Sequence, residues 1–318
     1  MDVAVTRRVI LVLGMARSGT SALTRTLGLC GAELPKSTHS VTDPIRGTHW
    51  EPDLIVDVHD RELLEPMGRR WHDVGWLAHS WFQSEEAAVI KHRLAAAYRE
   101  EFGAAPLTVV KDPRICRLLP LWLPIVRELP AEPCAVIIVR NPVEVAASLA
   151  KEGNRFSFRK VQLLWLRHFL EAERDTRNVP RCFVSYENLL SDWRAVIGHI
   201  NRELGLDLRP PTKAAEDEIV RFVSRDVKRH HVSDEAFAAR TDVPVEVKDV
   251  YRWALRACRT IPADLTILDR AFVSLAARDE KIDPIRSLYR FWRRCRQRFR
   301  SLLRTRQPAD SAALDAAR

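Results

Sequence analysis

The sequence predicts a three-layer α/β/α fold with a central parallel sheet, followed by a helical C-terminal extension. Two observations predict it. Short apolar runs, rich in β-branched residues, occupy 9–13, 107–110, 135–139 and 182–184, and each is followed by helix-like sequence. The first three runs also end in loop or turn signals. Since parallel strands need a long crossover connection, usually a helix, the alternation indicates βαβ units.

Four helices can be bounded from local signals, at 84–102, 143–151, 160–177 and 191–204. Ser84 is an N-cap residue followed by two acids, and Gly205 is a typical residue just after a helix end. The stretch 31–80 is rich in His, Pro, Asp and Trp without clear periodicity. A long irregular stretch after the first βα unit predicts a functional loop or insertion.

The composition excludes several classes of protein. With 46 % hydrophobic and 29 % charged residues among 318, the chain is globular rather than disordered. It has no apolar run of bilayer length and no signal-peptide layout, so we expect it in the cytoplasm, at most peripheral to a membrane. Six scattered cysteines without a CxxC pair indicate buried free thiols in a reducing compartment rather than a zinc or disulfide framework.

The basic charge is concentrated near the C-terminus. Nine of the 51 Lys and Arg lie at 286–306, a segment without acids, and the remaining basic residues equal the 42 acidic ones. A nucleic-acid binder is therefore not indicated. Residues 285–306 have the spacing of a basic amphipathic helix, which lies on an anionic membrane surface, docks on the core or contacts an acidic partner. The predicted divisions are a main domain at 1–275, this extension at 276–308 and a disordered tail at 309–318.

The first strand leads into a loop, GMARSGTS, that resembles GxxxxGK[ST] except that Thr20 replaces the lysine. Glycines let successive N–H groups point at one anion, and the following helix N-terminus adds its positive dipole end. Arg17 supplies the fixed charge. The residues expected to hold a phosphate are Gly14, Arg17, Ser18, Gly19, Thr20 and Ser21. The fold is thus P-loop-like; a plain helix-capping turn and a kinase remain alternatives at this point.

A second phosphate signal follows the third strand. Arg140-Asn141-Pro142 stands at the strand end, and Pro142 suits the first turn of a helix. Ser148 then lies about two helical turns further along. Arg140 and Ser148 are therefore expected to converge on one phosphate.

Together, GxxRSGTS and R-N-P-x5-S, about 120 residues apart, resemble the paired motifs of sulfotransferases that use 3′-phosphoadenosine-5′-phosphosulfate (PAPS). The similarity runs from about residue 8 to about residue 235 and includes KDPR at 111–114 and VSYENL at 184–189. The resemblance implies that residues 17–21 bind the 5′-phosphosulfate, and that Arg140 with Ser148 binds the 3′-phosphate. Tyr186 is expected to line the nucleotide site.

The same resemblance implies a base on the loop after the phosphate-binding helix, in Gly-Thr-His-Trp-Glu-Pro. We expect Glu51, whose apolar neighbours Trp50 and Pro52 would make the carboxylate more basic. His49 is the alternative. Lys111, at the end of the second strand, is assigned with Arg17 to the leaving-group oxygen. No metal is required for this chemistry.

The acceptor is less defined. Arg114 is expected to contact the donor or an acidic acceptor, although KDPR is equally typical of a turn. The aromatic residues of the insertion form either an acceptor cleft or a small satellite core; they are Trp50, Trp71, Trp76 and Trp81, with His72 and His79. The resemblance implies a hydroxyl acceptor, a glycan or a glycolipid. A P-loop-like ATP-dependent kinase and a catalytically inactive binding module are the competing hypotheses.

Overall fold

The structure, a computed structural model, describes residues 7–38, 49–75, 77–223 and 232–278. The chain divides into two units, Met1–Phe272 and Val273–Arg318. Of the second unit, the structure describes residues 273–278 only. The predicted amphipathic segment at 285–306 and the predicted tail at 309–318 lie outside the described residues, and the domain boundaries stay predictions.

The described residues contain a central sheet of four parallel strands in the order β2-β1-β3-β4. The strands are β1 (Arg7–Leu13), β2 (Leu107–Lys111), β3 (Ala131–Val139) and β4 (Arg181–Ser185). In the register, Ile10 lies opposite Val109 on one side and Cys134 on the other. The predicted α/β class and parallel sheet are confirmed. Strand β3 begins at Ala131, earlier than the apolar run alone indicates.

The helices fill the connections between these strands. A π-helical turn, Val58–Leu64, continues α2, and a 3₁₀ helix, His79–Gln83, precedes α3. The α-helices are α1 (Thr20–Leu29), α2 (Asp53–Asp57), α3 (Glu85–Phe102), α4 (Ile115–Glu128), α5 (Pro142–Lys151), α6 (Phe158–Asp175), α7 (Tyr186–Ser191), α8 (Trp193–Leu204), α9 (Lys213–Phe222), α10 (Asp234–Ala239), α11 (Val245–Ala257) and α12 (266–278). No helix in the described ranges is long and apolar enough to cross a membrane.

The helices form a layer on each face of the sheet. On one face, alternate strand residues such as Ile10, Val12 and Val136 pack with the apolar sides of α1, α8 and α9. On the other face, α4 and α11 lie against the strands and α6 packs on both helices. Because both faces are covered, the strands are almost wholly buried, as continuous apolar runs of this kind require.

The capping signals at Ser84 and Gly205 locate two helix ends correctly, but the predicted start at residue 191 is wrong, because Ser191 ends α7 and Asp192 caps α8. The Ser84 hydroxyl accepts from the Ala87 N–H at the start of α3, and Gly205 ends α8 in the left-handed conformation. The sequence sets no bounds for α4, because Pro120 and Pro124 interrupt its helical pattern. The free cysteines Cys30, Cys116, Cys134 and Cys182 are buried.

A buried histidine makes stability depend on pH. In α6, Nδ1 of His168 donates to the Leu164 carbonyl, at 2.8 Å, and Nε2 has no hydrogen-bond partner in the described part of the chain. Burial lowers the pKa of His168 to about 3, and the Arg117 charge adds to the decrease. In the unfolded chain the imidazole of His168 binds a proton near pH 6.5. The stabilisation that comes from the neutral, buried imidazole is therefore fully present above that pH. It is lost as pH falls towards 3.

We expect His168→Leu to flatten this dependence. Between about pH 6.5 and 4, wild type should lose up to about 1.4 kcal/mol of unfolding free energy per pH unit from this group. The variant should lack that slope in urea unfolding curves measured across the range. His92→Gln, at an exposed position of α3, is the matched control. Parallel curves for wild type and His168→Leu would contradict the assignment.

Candidate functional site

The polar motifs meet at the carboxyl edge of the sheet. The four strands end at Leu13, Lys111, Val139 and Ser185, directly before the expected site segments. The chain moves from β1 to β2 on one side and then returns to β3 on the other. The point between β1 and β3 is therefore a topological switch point, where open parallel sheets form their ligand crevices.

The loop between β1 and α1 has a strained backbone conformation. Arg17 has a φ of 71°, which is uncommon for a residue with a side chain. Gly19 has a φ of 95°, and a Cβ atom there would lie 2.2 Å from Cδ2 of Tyr186. The Gly14 N–H donates to Sγ of Cys116, at 3.1 Å. Glycine is thus required at position 19 by both conformation and close packing.

Ser18 gives this loop the character of an anion site. The residue is 1 % exposed, and its hydroxyl has no hydrogen-bond partner among the described residues. A buried hydroxyl without a partner costs free energy, and a bound phosphate oxygen would accept a hydrogen bond from it. The N-terminus of α1, directly after Gly19, adds the positive end of a helix dipole. The residues present therefore fit a phosphate or phosphosulfate group.

The two phosphate motifs are adjacent in space. Nε of Arg17 donates to Oγ of Ser148, at 3.1 Å, although 131 residues separate them. Nη1 of Arg140 donates to the Arg17 carbonyl, at 2.9 Å. The Arg140 guanidinium also lies 4.5 Å from the centroid of the Tyr186 ring. The structure thus brings Arg17, Arg140, Ser148 and Tyr186 together, as one extended anion site requires.

A cavity of about 540 Å³ opens beside this group. Arg140 and Tyr186 line one part of it, and Tyr251 and Arg256 of α11 line another. Its volume is large enough for the organic part of a phosphate ester. The cavity also lies next to the Arg140 side chain, where the phosphate of such an ester would bind.

Two carboxylates of the α5 region pair with these arginines. Glu152 lies 2.6 Å from Nη1 of Arg17, and Glu144 lies 3.2 Å from Nε of Arg140. Neither carboxylate is identifiable from the sequence, because both follow the R-N-P motif as ordinary helix residues. For Glu144, the spacing of four residues after Arg140 is a sequence signal that could have indicated the ion pair.

Lys111 joins the strand edge to the loop expected to carry the base. Its side chain is 2 % exposed. The ammonium group donates to Oγ of Ser21 at 3.1 Å, to the His49 carbonyl at 2.8 Å and to Oε1 of Glu51 at 2.7 Å. The Ser21 hydroxyl also donates to the His49 carbonyl. These contacts place Glu51 and the phosphate loop on either side of one buried cation.

The surroundings of the two base candidates differ from expectation. Glu51 lies in an ion pair with Lys111 rather than in an apolar setting, and Nη1 of Arg114 is 3.8 Å from its other oxygen. Burial lowers the pKa of His49; the Glu51 charge opposes this decrease, and the Lys111 and Arg17 charges add to it. At neutral pH the His49 imidazole is therefore uncharged and able to accept a proton.

A fully buried hydrogen-bond chain holds the KDPR turn. Trp122 donates its indole N–H to Nε2 of His59, at 3.0 Å, and Nδ1 of His59 lies 2.7 Å from Oδ2 of Asp112. Since an indole N–H can only donate, the imidazole proton is on Nδ1 and is donated to Asp112. Burial alone would raise the pKa of Asp112, but the Arg114 charge and the His59 contact hold it well below its usual range.

Arg114 is enclosed by carboxylates. It donates from its backbone N–H and from Nη1 to Oδ1 of Asp112, and it forms a two-point pair with Asp60 at 2.7 and 2.5 Å. Asp60 and His59 lie in the π-helical turn, a conformation frequent at functional sites. KDPR is thus a turn, as the plainer alternative held, but its charges are buried in a network rather than solvated.

The described aromatic side chains of the insertion have several different contact partners. Trp50 lies beside Arg25, with its ring centroid 4.5 Å from the guanidinium carbon. Trp71 and His72 contact Phe156, while His79 and Trp81 contact Phe82. Trp76 lies outside the described residues. Among the described residues, Trp50, Trp71 and Trp81 thus contact different partners, and both the cleft and the satellite core stay predictions.

A metal site in a protein needs several acidic, histidine or cysteine side chains close together. Within 7–38, 49–75, 77–223 and 232–278, no three such side chains converge in a way that would hold a metal ion. The expectation of metal-independent chemistry stays a prediction.

Three solved sulfotransferase structures are similar to the chain. In the solved structures, a sulfotransferase domain from the Synechococcus PCC 7002 olefin synthase matches at 19 % identity and a TM-score of 0.43, covering 86 % of this chain and 94 % of that one. A sulfotransferase domain from the curacin biosynthetic pathway matches at 17 % identity and 0.42, covering 85 % and 98 %. Sulfotransferase STF1 from Mycobacterium tuberculosis H37Rv matches at 17 % and 0.41, covering 77 % and 76 %.

The sequence comparisons carry the family assignment. None of the curated protein sequences compared with the chain gives a significant match. The sequence model of the sulfotransferase family, however, matches residues 9–210, which is more than half of the chain. That range contains the phosphate loop, the KDPR turn and the R-N-P motif. The chain therefore belongs to the sulfotransferase family.

Proposed function

We propose that the protein transfers a sulfuryl group from PAPS to a hydroxyl acceptor. The observation that carries the proposal is the convergence of two phosphate motifs, in which Arg17 contacts Ser148 and Arg140 contacts the phosphate loop. A donor with phosphates at both its 3′ and 5′ positions requires two such sites near each other. The buried, unpartnered hydroxyl of Ser18, counted among the described residues, supports the 5′ site.

The protein groups divide into binding and reacting sets. When bound, PAPS supplies the sulfuryl group and a nucleotide bisphosphate leaving group. Residues 14–21 hold the 5′ end, Arg140 and Ser148 hold the 3′-phosphate, and Tyr186 packs beside Arg140. Lys111, already directed at the phosphate loop through Ser21, places positive charge where the leaving oxygen gains negative charge.

The proton of the acceptor hydroxyl needs a base at the same edge of the sheet. We propose Glu51 for this role, with His49 as the alternative. Lys111 orients Glu51, and the half-buried, neutral His49 imidazole offers a second proton acceptor close by. Both stand on the loop that reaches the phosphate site through the Ser21 and Lys111 contacts.

The donor is tested by calorimetry with 3′-phosphoadenosine-5′-phosphate, ATP and ADP, each with and without Mg²⁺. We expect the bisphosphate to bind without metal, and Arg140→Ala to weaken it by at least about tenfold, because a hydrogen bond to a charged group contributes about 1.5–3 kcal/mol. Arg202→Ala, a 70 % exposed arginine of α8, is the matched control and should leave affinity unchanged.

The kinase alternative predicts the opposite pattern. Tight Mg²⁺-dependent binding of ATP that does not change in Arg140→Ala would overturn the PAPS proposal. For the acceptor, we propose an alcohol of a glycan or glycolipid, met in the cytoplasm or at a membrane surface. Screening such hydroxyl compounds for release of the bisphosphate from PAPS tests this class.

A further inference from the structure

The two arginines of the donor site are each held by an internal carboxylate. Arg140 pairs with Glu144, and Arg17 pairs with Glu152. Both carboxylates belong to the α5 region, which also carries Ser148. Since a phosphate or phosphosulfate group is also an anion, each carboxylate either orients its arginine for the donor or competes with the donor for it.

The surroundings of Glu144 indicate an orienting role. Its side chain is 3 % exposed, and its Oε1 accepts the Val232 N–H at 3.1 Å while Oε2 contacts Arg140. It is four residues after Arg140, so the pair is local. Because each oxygen of this buried carboxylate has a partner, Glu144 cannot move away from Arg140 when an anion binds.

Glu152 has different surroundings. Its side chain is 29 % exposed, and Oε1 lies 2.6 Å from Nη1 of Arg17. It is the C-cap residue of α5, where the negative end of the helix dipole disfavours an acid. Local sequence therefore does not explain the position of this carboxylate, whereas attraction to Arg17 does. Solvent access allows it to leave Arg17 without being stranded in the protein interior.

We propose that Glu152 is an internal anion that occupies Arg17 in the donor-free protein and competes with the donor for it. This inference rests on the proposed function, since it concerns the 5′-phosphosulfate end of that site. Its consequence is that Glu152 lowers donor affinity: the pair must open or be shared when Arg17 contacts the incoming anion. Glu152 thereby makes the affinity of the site for anions weaker than its arginines alone would give.

The test measures the affinity of Glu152→Gln for two probes, 3′-phosphoadenosine-5′-phosphate and inorganic pyrophosphate, by calorimetry. We expect both to bind about fivefold more tightly than to wild type, the size of a partly exposed ion pair. Glu132→Gln is the matched control, because Glu132 is 64 % exposed at the start of β3, on the opposite edge of the sheet. Glu152→Ala provides a second variant that keeps no hydrogen bond to Arg17.

Each outcome decides the question. Tighter binding in both Glu152 variants, with Glu132→Gln unchanged, supports competition. Unchanged binding shows that Glu152 does not compete with the anion, and weaker binding shows that it orients Arg17 instead. Equal tightening in Glu132→Gln shows a general charge effect. Each of these results overturns the inference. If wild type binds pyrophosphate but not the bisphosphate, the proposed donor fails, and the pyrophosphate results alone decide the role of Glu152. If neither probe binds wild type, both proposals fail.

Discussion

Lys111→Met should reduce the rate of sulfuryl transfer by about 100- to 1,000-fold, the usual effect of removing a group that stabilises transition-state charge. The buried ammonium contacts Ser21, the His49 carbonyl and Glu51. The substitution removes the positive charge that stabilises the leaving group. It also removes the contacts that hold the loop with both base candidates. Turnover is measured as release of 3′-phosphoadenosine-5′-phosphate from PAPS with an acceptor that wild type uses.

The comparison of turnover with binding separates this role from a structural one. We expect affinity for the bisphosphate to change much less than turnover, because the charge acts mainly on the bond that breaks. Lys213→Met, whose side chain is 81 % exposed on α9, is the control for loss of a lysine. A folded Lys111→Met protein that keeps more than about a tenth of wild-type turnover would rule out the assigned role.

Asp112→Asn should lower the free energy of unfolding by about 3–5 kcal/mol at pH 7, as breaking one partner of a buried charge network does. Both oxygens of Asp112 accept hydrogen bonds, from His59 on one side and from Arg114 on the other. An amide keeps the shape but turns one acceptor into a donor. One of these contacts is then lost at a site with no exposure to solvent.

The same variant gives a pH signature. Because the pKa of Asp112 is held below that of the unfolded chain, its stabilisation is present above about pH 4 and is lost as pH falls through the folded-state value. The difference between wild type and Asp112→Asn in urea unfolding should therefore shrink below about pH 4.

An exposed pair provides the control for Asp112→Asn. Asp242 pairs with Arg240 at the surface, with a 52 % exposed side chain, so Asp242→Asn should change stability by less than about 1 kcal/mol. Equal effects at the two positions would show that the buried chain from Trp122 to Arg114 does not carry the expected free energy.

Local patterns were enough to predict the framework. The apolar runs, the glycines of the loop and the caps at Ser84 and Gly205 act over a few residues, so the sheet class and the phosphate loop follow from the sequence. Where two local signals conflict, prediction stops: α4 has a helical apolar face but contains two prolines. The π-helical turn that carries His59 has no comparable local signal.

The sequence by itself determined which residues could bind phosphate, because strand, glycine loop and helix order are written in consecutive residues. Only the tertiary structure decided which side chains of the site contact each other. Lys111 meets Glu51 across 60 positions and His59 meets Asp112 across 53, and neither pairing has a periodic signal. A charged side chain pairs with an opposite charge that the packing of helices and sheet places nearby. The pairing of Glu152 with Arg17 therefore depends on how α5 lies beside the phosphate loop.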